Sequence, residues 1–457
     1  MQFHINICTI KKQALLFFFF CNLYLAVFGS PKDSTHKDTG SRWTFHYQAT
    51  VIDQYHGRFN SPYSGKNSLQ DTTEDDMSVT STIFLGYRLW RYGSFYCNPE
   101  ISGGKGFSGT TGIAGFPNGE IYRVGDPVTT AYLARAYYQQ SIALHGSHDT
   151  LFTDDQNQVT QYLPTKRITF SAGKFSLADF YDGNPYSHDA RGQFMNWVLM
   201  DNGAWDYPAD TRGYTFGAII QLIEPTWYIE LSDALEPYSA NGPVMDPNFT
   251  KTFGITFETG FTFKAAGKTG GLSLLLFLNQ NRAGNYEDAI IAYNETGKAD
   301  ALSIDNDSAY NGNKKYGVGL SFNYPLSQYV GFFMRAGWNN GLTGDWAFTE
   351  VDQTITPGFS FDGQLWKRKG DNFGIAFIAN GLSKEHIAFE NAGGYGFIIG
   401  DGKLPNYKPE QVLETYYQFK FLEHLFVAPD FQYVVNPAYN ADRGPVSIYS
   451  VRVHLEF

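Results

Sequence analysis

The chain has 457 residues, with 34 basic and 45 acidic side chains and a formal net charge of −11. This acidic balance argues against a nucleic-acid partner, which would favour a basic surface. The mean hydropathy of −0.30 argues against a bundle of membrane helices, but not against a membrane β-barrel, because half of each barrel strand is polar.

The N-terminus has the features of a secretory signal. Lys11 and Lys12 precede an apolar run at residues 14–28, and the small residue Gly29 follows it. A membrane anchor is the alternative, but the run is shorter than the ~20 apolar residues that a spanning helix needs. We therefore predict a signal peptide at residues 1–29.

The remaining chain shows no composition shift that would mark a domain boundary. We predict a disordered polar lead-in at residues 30–42 and a single domain at residues 43–457. Two of the three cysteines, Cys8 and Cys21, fall in the predicted signal peptide. Cys97 is then alone, so neither an intramolecular disulfide nor a cysteine-based metal site is available.

Apolar and polar residues alternate along most of the predicted domain. At the C-terminus, Tyr449, Val451 and Val453 share one parity, whereas Arg452 and His454 share the other. Because a strand points successive side chains to opposite faces, such a segment has one apolar and one charged face. Sixteen segments fit this pattern, with centres near residues 47, 84, 97, 137, 170, 217, 229, 258, 275, 320, 334, 362, 376, 417, 430 and 452. The pattern predicts an all-β fold, a transmembrane antiparallel β-barrel of about 16 strands.

The connections between these segments differ in length. Short links are typical of periplasmic turns and long links of extracellular loops. Residues 176–211 are too long and too aromatic for a passive connector, and we expect them to fold into the lumen or over its mouth. We expect the long links on one rim, at residues 103–131, 145–164, 176–211, 281–315 and 382–413.

Three blocks of sequence resemble the carbohydrate-selective porins of the OprB family. Residues 173–237 contain DGNPYSHDARGQFMN and DNGAWDYP, residues 112–119 read GIAGFPNG, and residues 400–457 end in VVNPAYNADRGPVSIYSVRVHLEF. The resemblance covers almost the whole chain after the predicted signal peptide, in the family's order.

The resemblance implies a sixteen-stranded barrel of the porin type in the outer membrane of a Gram-negative cell, with one or more loops folded into the lumen. It implies passive, sugar-preferring diffusion of small carbohydrates, without a cofactor, a metal or a nucleic-acid partner. Outer-membrane lipid and lipopolysaccharide would surround the barrel. The family is largely monomeric, so a monomer is slightly favoured over a trimer, although alternating strands say little about lateral contacts.

Residues predicted to line the pore come from the polar parity of the strands and from the 176–211 loop. A sugar needs hydrogen-bonding groups and aromatic faces along its route, and the planar fork of arginine suits two hydroxyls at once. The predicted pore-lining residues are Arg88, Glu100, Arg135, Tyr137, Asp179, Asp189, Arg191, Trp197, Trp205, Asp206, Arg335 and Arg452. The alternative for each is a structural one, in an ion-pair lattice of the wall or in a self-packed loop.

Other functions find less support in the sequence. The glycine-rich stretch at residues 393–402 lacks the Lys-Ser/Thr ending of a phosphate-binding loop, and no motif of a hydrolase is present, so we do not expect an enzyme. Asp179, Asp182 and Asp189 supply calcium-type ligands but do not have the spacing of a calcium loop. The remaining alternatives are a general or weakly ion-selective porin, a soluble carbohydrate-active enzyme or lectin, and an adhesin built on a closed barrel.

Overall fold

The computed structural model describes residues 41–122, 128–304 and 312–457. The predicted signal peptide and nearly all of the predicted lead-in lie outside the described residues. Within the described ranges, no helix combines the length and the apolarity that crossing a membrane requires.

The described chain is dominated by antiparallel strands. Sixteen of them close into one barrel, and each of the sixteen predicted centres falls within one of these strands. The strands are Trp43–His56 (β1), Glu74–Trp90 (β2), Gly93–Gly104 (β3), Thr130–Ala143 (β4), Asp149–Phe152 (β5), Gln161–Pro164 (β6), Arg167–Phe175 (β7), Thr215–Ile223 (β8), Trp227–Ala234 (β9), Phe253–Ala265 (β10), Lys268–Gln280 (β11), Lys314–Pro325 (β12), Val330–Asn339 (β13), Gln353–Asp362 (β14), Asn372–Gly381 (β15), Glu410–Leu422 (β16), Leu425–Val435 (β17) and Val446–Glu456 (β18). Only β5 and β6 stand outside the barrel, as a separate hairpin.

The first strand shows the predicted parity. On β1, Trp43 and Phe45 are 64% and 52% exposed on the outer surface, whereas Gln48 and Thr50 are buried inside the barrel. The last strand pairs with the first and closes the sheet, with Val51 opposite Val453. Closure leaves no unpaired edge, which is the condition for a sheet to stand in lipid.

Connections alternate between two rims because strand direction alternates around the barrel. The long-loop rim carries the described connecting residues 57–73, 105–122, 128–129, 176–214, 235–252, 281–304, 312–313, 340–352, 382–409 and 436–445. The short-turn rim carries those at residues 91–92, 144–166, 224–226, 266–267, 326–329, 363–371 and 423–424.

The 144–166 segment corrects a prediction. Its length predicted the long-loop rim, but strand order places it on the short-turn rim. It contains the β5–β6 hairpin and turns into the barrel, where Gln156 donates to Gln48 of β1 at 3.1 Å and Asn157 accepts from Asn98 of β3 at 2.9 Å. Length alone was a misleading guide, because a segment that folds inward needs as many residues as one that projects outward.

Three helices lie on the long loops of the described chain: Trp197–Met200 (α1), Tyr286–Thr296 (α2) and Lys384–Asn391 (α3). Each helix is preceded by a polar residue whose side chain accepts a hydrogen bond from a backbone amide of the first turn. These capping residues are Asn196, Asn285 and Ser383, respectively. Apolar residues of these loops form a buried core inside the barrel, including Phe194, Val198, Leu199, Trp346, Phe348 and Ile398. The lumen is therefore partly filled by packed loops.

The glycine-rich stretch at 393–402 surrounds a carboxylate of the same chain. The amides of Phe397, Ile398 and Ile399 donate to Glu350 at 3.1, 2.8 and 2.6 Å. A Cβ atom on Gly396 would lie 1.3 Å from Oε1 of Glu350, so only glycine fits there. These amides bind an internal anion and fix one long loop to another.

Candidate functional site

A cavity of about 670 Å³ remains inside the barrel beside strands β1 to β4. Its lining includes Asn241 and Phe348 from loops of the long-loop rim. It also includes Gln156, Asn157 and Gln158 from the segment that enters at the opposite rim. Because groups from both rims meet along it, this cavity is the candidate solute pathway.

A bulge in the wall turns a tyrosine toward the central carboxylate of the cavity, Glu100. Asn98 pairs with Arg135 and Pro99 with Leu133, so Ala134 is an extra residue on β4. Proline has no amide hydrogen for the ladder, which favours an irregular pairing at this point. The bulge reverses the parity of β4, so that Leu133 faces outward and Tyr132 donates a hydrogen bond to Glu100.

Glu100 is buried at the centre of a hydrogen-bond network. Thr82 of β2 donates to Oε2 of Glu100 at 2.5 Å, and Tyr214 from the loop before β8 donates to Oε1 at 3.1 Å. Arg191 approaches the same carboxylate, with 3.3 Å between Nη2 and Oε2. With Tyr132 of β4, the network joins three strands and the long 176–214 loop at one anionic group.

Arg191 bridges two carboxylates across the cavity wall. Its Nε donates to Glu120 at 2.8 Å, in addition to its contact with Glu100. Burial opposes the charge of Arg191, but the two carboxylates outweigh that cost and hold its pKa above its usual range. Arg191 therefore stays cationic at any physiological pH.

A second arginine of the wall forms a two-point contact with the loop. Nε and Nη2 of Arg135 donate to the two carboxylate oxygens of Asp179 at 2.6 and 2.5 Å. The guanidinium group also lies over the ring of Tyr214, 5.1 Å from its centroid. Arg135 thus holds the short helical turn at Leu177–Asp179 against β4.

Arg212 supplies a further cation at the cavity. Its guanidinium group lies 4.6 Å from the ring centroid of Tyr132 and 5.2 Å from that of Tyr122. The turn that carries Arg212 is closed by Asp210, whose Oδ1 accepts the amide hydrogens of Arg212 and Tyr214 at 2.9 and 3.1 Å. Burial raises the pKa of Asp210.

Aromatic side chains line the cavity together with these charges. Trp197 stacks on Phe348 with 6.0 Å between ring centroids and an interplanar angle of 20°. Tyr207 lies 4.7 Å from Phe348, and the indole nitrogen of Trp197 donates to the carbonyl of Asn118 at 2.7 Å. All three rings contribute to the cavity lining.

An aspartate–histidine pair also lines the cavity. Nδ1 of His188 lies 3.6 Å from Oδ1 of Asp201, and neither oxygen of Asp201 has a hydrogen-bond partner among the described residues. Burial raises the pKa of Asp201 to about 7, against the opposing effect of His188. The charge of this carboxyl group therefore changes near neutral pH.

The structure separates the twelve predicted pore-lining residues into two groups. One group lies at the cavity and comprises Glu100, Arg135, Tyr137, Asp179, Asp189, Arg191 and Trp197. The other lies away from the cavity lining and comprises Arg88, Trp205, Asp206, Arg335 and Arg452.

Arg335 and Arg452 hold the 176–214 loop inside the barrel. Arg335 donates to the carbonyls of Leu199, Asp182 and Ser187 at 3.0, 3.0 and 2.6 Å, and its Nε lies 2.7 Å from Oδ2 of Asp182. Arg452 donates to the carbonyls of Ala190 and Gln193 at 2.7 and 2.6 Å, respectively. Both arginines face the lumen as strand parity requires, but they contact loop backbone.

The other three residues of that group have different surroundings. Arg88 lies near the end of β2, beside the short turn to β3. Trp205 is buried between Tyr181 and Tyr207. Asp206 accepts the amide hydrogens of Trp346, Ala347 and Phe348 at 2.9, 2.8 and 3.1 Å and so positions the 340–352 loop.

The three aspartates considered for calcium do not converge. Asp179 is engaged by Arg135, Asp182 by Arg335, and Asp189 accepts the amide hydrogen of Arg191 at 2.9 Å. Each carboxylate therefore serves a separate contact of the loop.

Several residues of the cavity escaped the sequence analysis. Tyr132 has outward parity until the bulge at Ala134 is known. Glu120 has no periodic signal, although it directly follows the GIAGFPNG motif. Tyr214 and Phe348 reach the cavity only because their loops fold inward, which depends on contacts distant in the sequence.

A closed sixteen-stranded barrel with an apolar exterior and a charged internal cavity is an outer-membrane porin. The family described as Carbohydrate-selective porin, OprB family, matches residues 86–457, and the chain belongs to this family. Fold and family are those of a channel rather than of an enzyme.

Two curated relatives and one solved structure extend the comparison. The chain is 24% identical over 305 residues to Porin AaxA of Chlamydia abortus (66% of this chain, 57% of the relative). It is 23% identical over 299 residues to Porin AaxA of Chlamydia caviae (65% and 55%). These matches span little more than half of each relative's length. The high-pH structure of OprB from Pseudomonas putida superposes with a TM-score of 0.67 at 14% identity, covering 91% of this chain and 94% of that one, which shows the common fold.

Proposed function

We propose that this porin is a passive diffusion channel that prefers small carbohydrates. The supporting observation is one cavity in which paired charges and aromatic faces occur together. Arg191 is paired with Glu100 and Glu120, and Arg135 with Asp179, so the wall offers dense hydrogen bonding in which both cations have carboxylate partners. A neutral polyol can exchange hydrogen bonds with such a wall while its C–H patches lie against aromatic rings such as Trp197.

Weak and repeated contacts suit passage better than one tight site, because a solute must also leave. The hydrogen-bonding groups of the cavity are spread along its length, as that requirement demands. They extend from Gln48 and Gln139 on the strands to Asn241 on a loop of the long-loop rim. No energy source or cofactor is needed for movement down a concentration gradient.

Swelling of proteoliposomes tests this proposal. Vesicles containing the purified protein should swell faster in a hexose than in a zwitterionic amino acid of equal size. The control variant is Arg368→Gln, which removes an exposed arginine on the short turn before β15, outside the cavity. Vesicles containing it should swell at the wild-type rates. Equal rates for both solutes would contradict the sugar preference, and the absence of swelling with any solute would contradict the channel.

A second function, a general porin with weak cation preference, is favoured by the charge of the cavity. The lining carboxylates are Glu100, Glu120, Asp179, Asp189, Asp201 and Asp210, against the arginines Arg135, Arg191 and Arg212. An acidic lining concentrates cations. A reversal potential favouring potassium in a KCl gradient, together with equal swelling in sugar and amino acid, would select this function over the first.

For the assembly, we propose a monomer surrounded by outer-membrane lipid and lipopolysaccharide. The family resemblance supports the monomer. Native mass spectrometry of the protein released from detergent tests this proposal, and a trimeric mass would contradict it.

A further inference from the structure

Two long loops and the start of β12 meet in a buried polar cluster outside the cavity lining. Asp345 and Asp352 belong to the 340–352 loop, His386 to α3, and Lys315 to the start of β12. Asp345 is 3% exposed, and Asp352 and His386 are fully buried. None of the four side chains lines the cavity.

The arrangement has the dimensions of a small metal centre. One oxygen of Asp345, one oxygen of Asp352 and one ring nitrogen of His386 all lie within 4.8 Å of one another. Nδ1 of His386 and Oδ2 of Asp352 are 3.1 Å apart, at hydrogen-bonding distance, which fixes the imidazole against this carboxylate. Ligands of a tetrahedral zinc ion are separated by roughly 3.3 Å, as bonds of about 2.0–2.1 Å require.

Each ligand side chain has one atom oriented by the protein and another without a hydrogen-bond partner. Lys315 engages Oδ1 of Asp345, and the amide of Ser383 donates to Oδ2 of Asp352 at 2.8 Å. In the described part of the chain, Oδ2 of Asp345, Oδ1 of Asp352 and Nε2 of His386 have no hydrogen-bond partner. A buried polar atom left unpaired costs about 1–3 kcal/mol, so each of the three side chains keeps one atom available to a ligand.

We propose that Asp345, Asp352 and His386 bind a divalent transition-metal ion of the zinc type. Two carboxylates face one lysine here, so a cation compensates the excess negative charge. The imidazole selects against calcium and magnesium, which prefer oxygen ligands, and favours zinc. This proposal departs from the expectation of no metal from the sequence, where the three ligands are scattered over residues 345–386 without a recognisable spacing.

The position of the ion connects it to the cavity wall. Asp345 immediately precedes Trp346, Ala347 and Phe348, whose amides bind Asp206. Ala347 and Phe348 line the cavity. An ion bound by Asp345 and His386 would join this part of the wall to α3. It would thereby fix the 340–352 loop, which contributes to the cavity wall, to the 382–409 loop.

Metal analysis of the full-length protein tests the proposal. After treatment with a chelator and dialysis against zinc, we expect about one tightly held zinc ion per wild-type chain. Asp352→Asn and His386→Gln should lose that ion. His56→Gln is the matched control, because His56 is equally buried but faces a single carboxylate, Glu74 at 3.1 Å, and should keep it. Zinc held equally by all four proteins, or by none of them, would overturn the proposal.

A second measurement needs no variant and covers the case in which a substitution prevents folding. Cobalt(II) added to the chelator-treated wild-type protein should give the visible absorption bands of a four- or five-coordinate site, and zinc should abolish them. A spectrum identical to that of cobalt in buffer would show that protons alone balance the cluster, and would overturn the proposal independently of any result on transport.

Discussion

Arg135 and Asp179 form a two-point ion pair, with N–O distances of 2.6 and 2.5 Å, between a wall strand and the loop folded into the lumen. The fork of the guanidinium group fixes the orientation of the carboxylate as well as its distance. Both side chains line the cavity, so the pair is at once a structural link and part of the surface that a solute meets.

Arg135→Gln should make the cavity more cation-selective. The substitution leaves Asp179 as an additional uncompensated negative charge in a lining that is already acidic. We expect the permeability ratio of potassium to chloride to rise about twofold at low salt, with the effect decreasing as salt screens the charge. The measurement is the reversal potential of planar bilayers in a KCl gradient. Asp179→Asn should shift the ratio in the opposite direction, and a shift of both variants in the same direction would refute this electrostatic explanation.

Arg335→Gln should destabilise the protein far more than a substitution of an exposed arginine. It leaves three buried carbonyl groups and the carboxylate of Asp182 without their cation, a loss of about 3–5 kcal/mol. Thermal unfolding in detergent measures it, with Arg368→Gln as the exposed control.

The loss of stability caused by Arg335→Gln should depend on the charge of Asp182. Burial raises the pKa of this carboxyl group, so the unpaired aspartate can take up a proton at low pH. We expect the destabilisation by Arg335→Gln to be smaller at pH 5 than at pH 8, and the double variant with Asp182→Asn to be more stable than Arg335→Gln alone. Additive effects of the two substitutions would contradict a direct coupling.

The barrel was predictable from the sequence because its determinants are local. Strand parity is set by a period of two, and that pattern is visible wherever an apolar surface alternates with a polar one, as in Trp43 to Thr50. Strand number and position follow from it without knowledge of any distant contact.

The role of a lumen-facing charge was not predictable in the same way. Arg135, Arg335 and Arg452 have the same parity signal, yet the first lines the cavity and the other two bind loop carbonyls. The distinction depends on where residues 176–214 fold, and no short-range pattern encodes that. One inserted residue, Ala134, also inverts the parity of its strand.

Asp201→Asn should stabilise the protein at neutral and alkaline pH. The pKa of Asp201, about 7, exceeds that of an exposed aspartate, so the stability that its neutral form contributes is fully present below the unfolded-state pKa. That stability is lost as the pH rises through about 7. Asparagine has no charge to lose, and its advantage in unfolding free energy should grow between pH 4 and pH 7 to the order of 4 kcal/mol.

The pH dependence is measured by thermal unfolding of both proteins across that range. The groups facing Asp201 are His188, Asp182, Arg335 and Asp179, and all four are present in both proteins. Asp154→Asn is the matched control, since Asp154 also pairs with a histidine, His46 at 3.5 Å, but is 48% exposed. A constant difference between wild type and Asp201→Asn across the pH range would contradict burial of the ionised group.

Removal of the inward segment on the short-turn rim should widen the channel without unfolding the barrel. Strands β4 and β7 pair directly up to Ala143 and Arg167, and the amide of Leu144 donates to the carbonyl of Lys166 at 3.0 Å. Replacing residues 145–165 with a two-residue Asn-Gly turn therefore closes a hairpin. Single-channel conductance should rise, because Gln156, Asn157 and Gln158 leave the cavity lining. The same turn in place of residues 364–370, on the same rim but outside that lining, should leave conductance unchanged, and equal conductance in all three proteins would exclude the segment from the solute pathway.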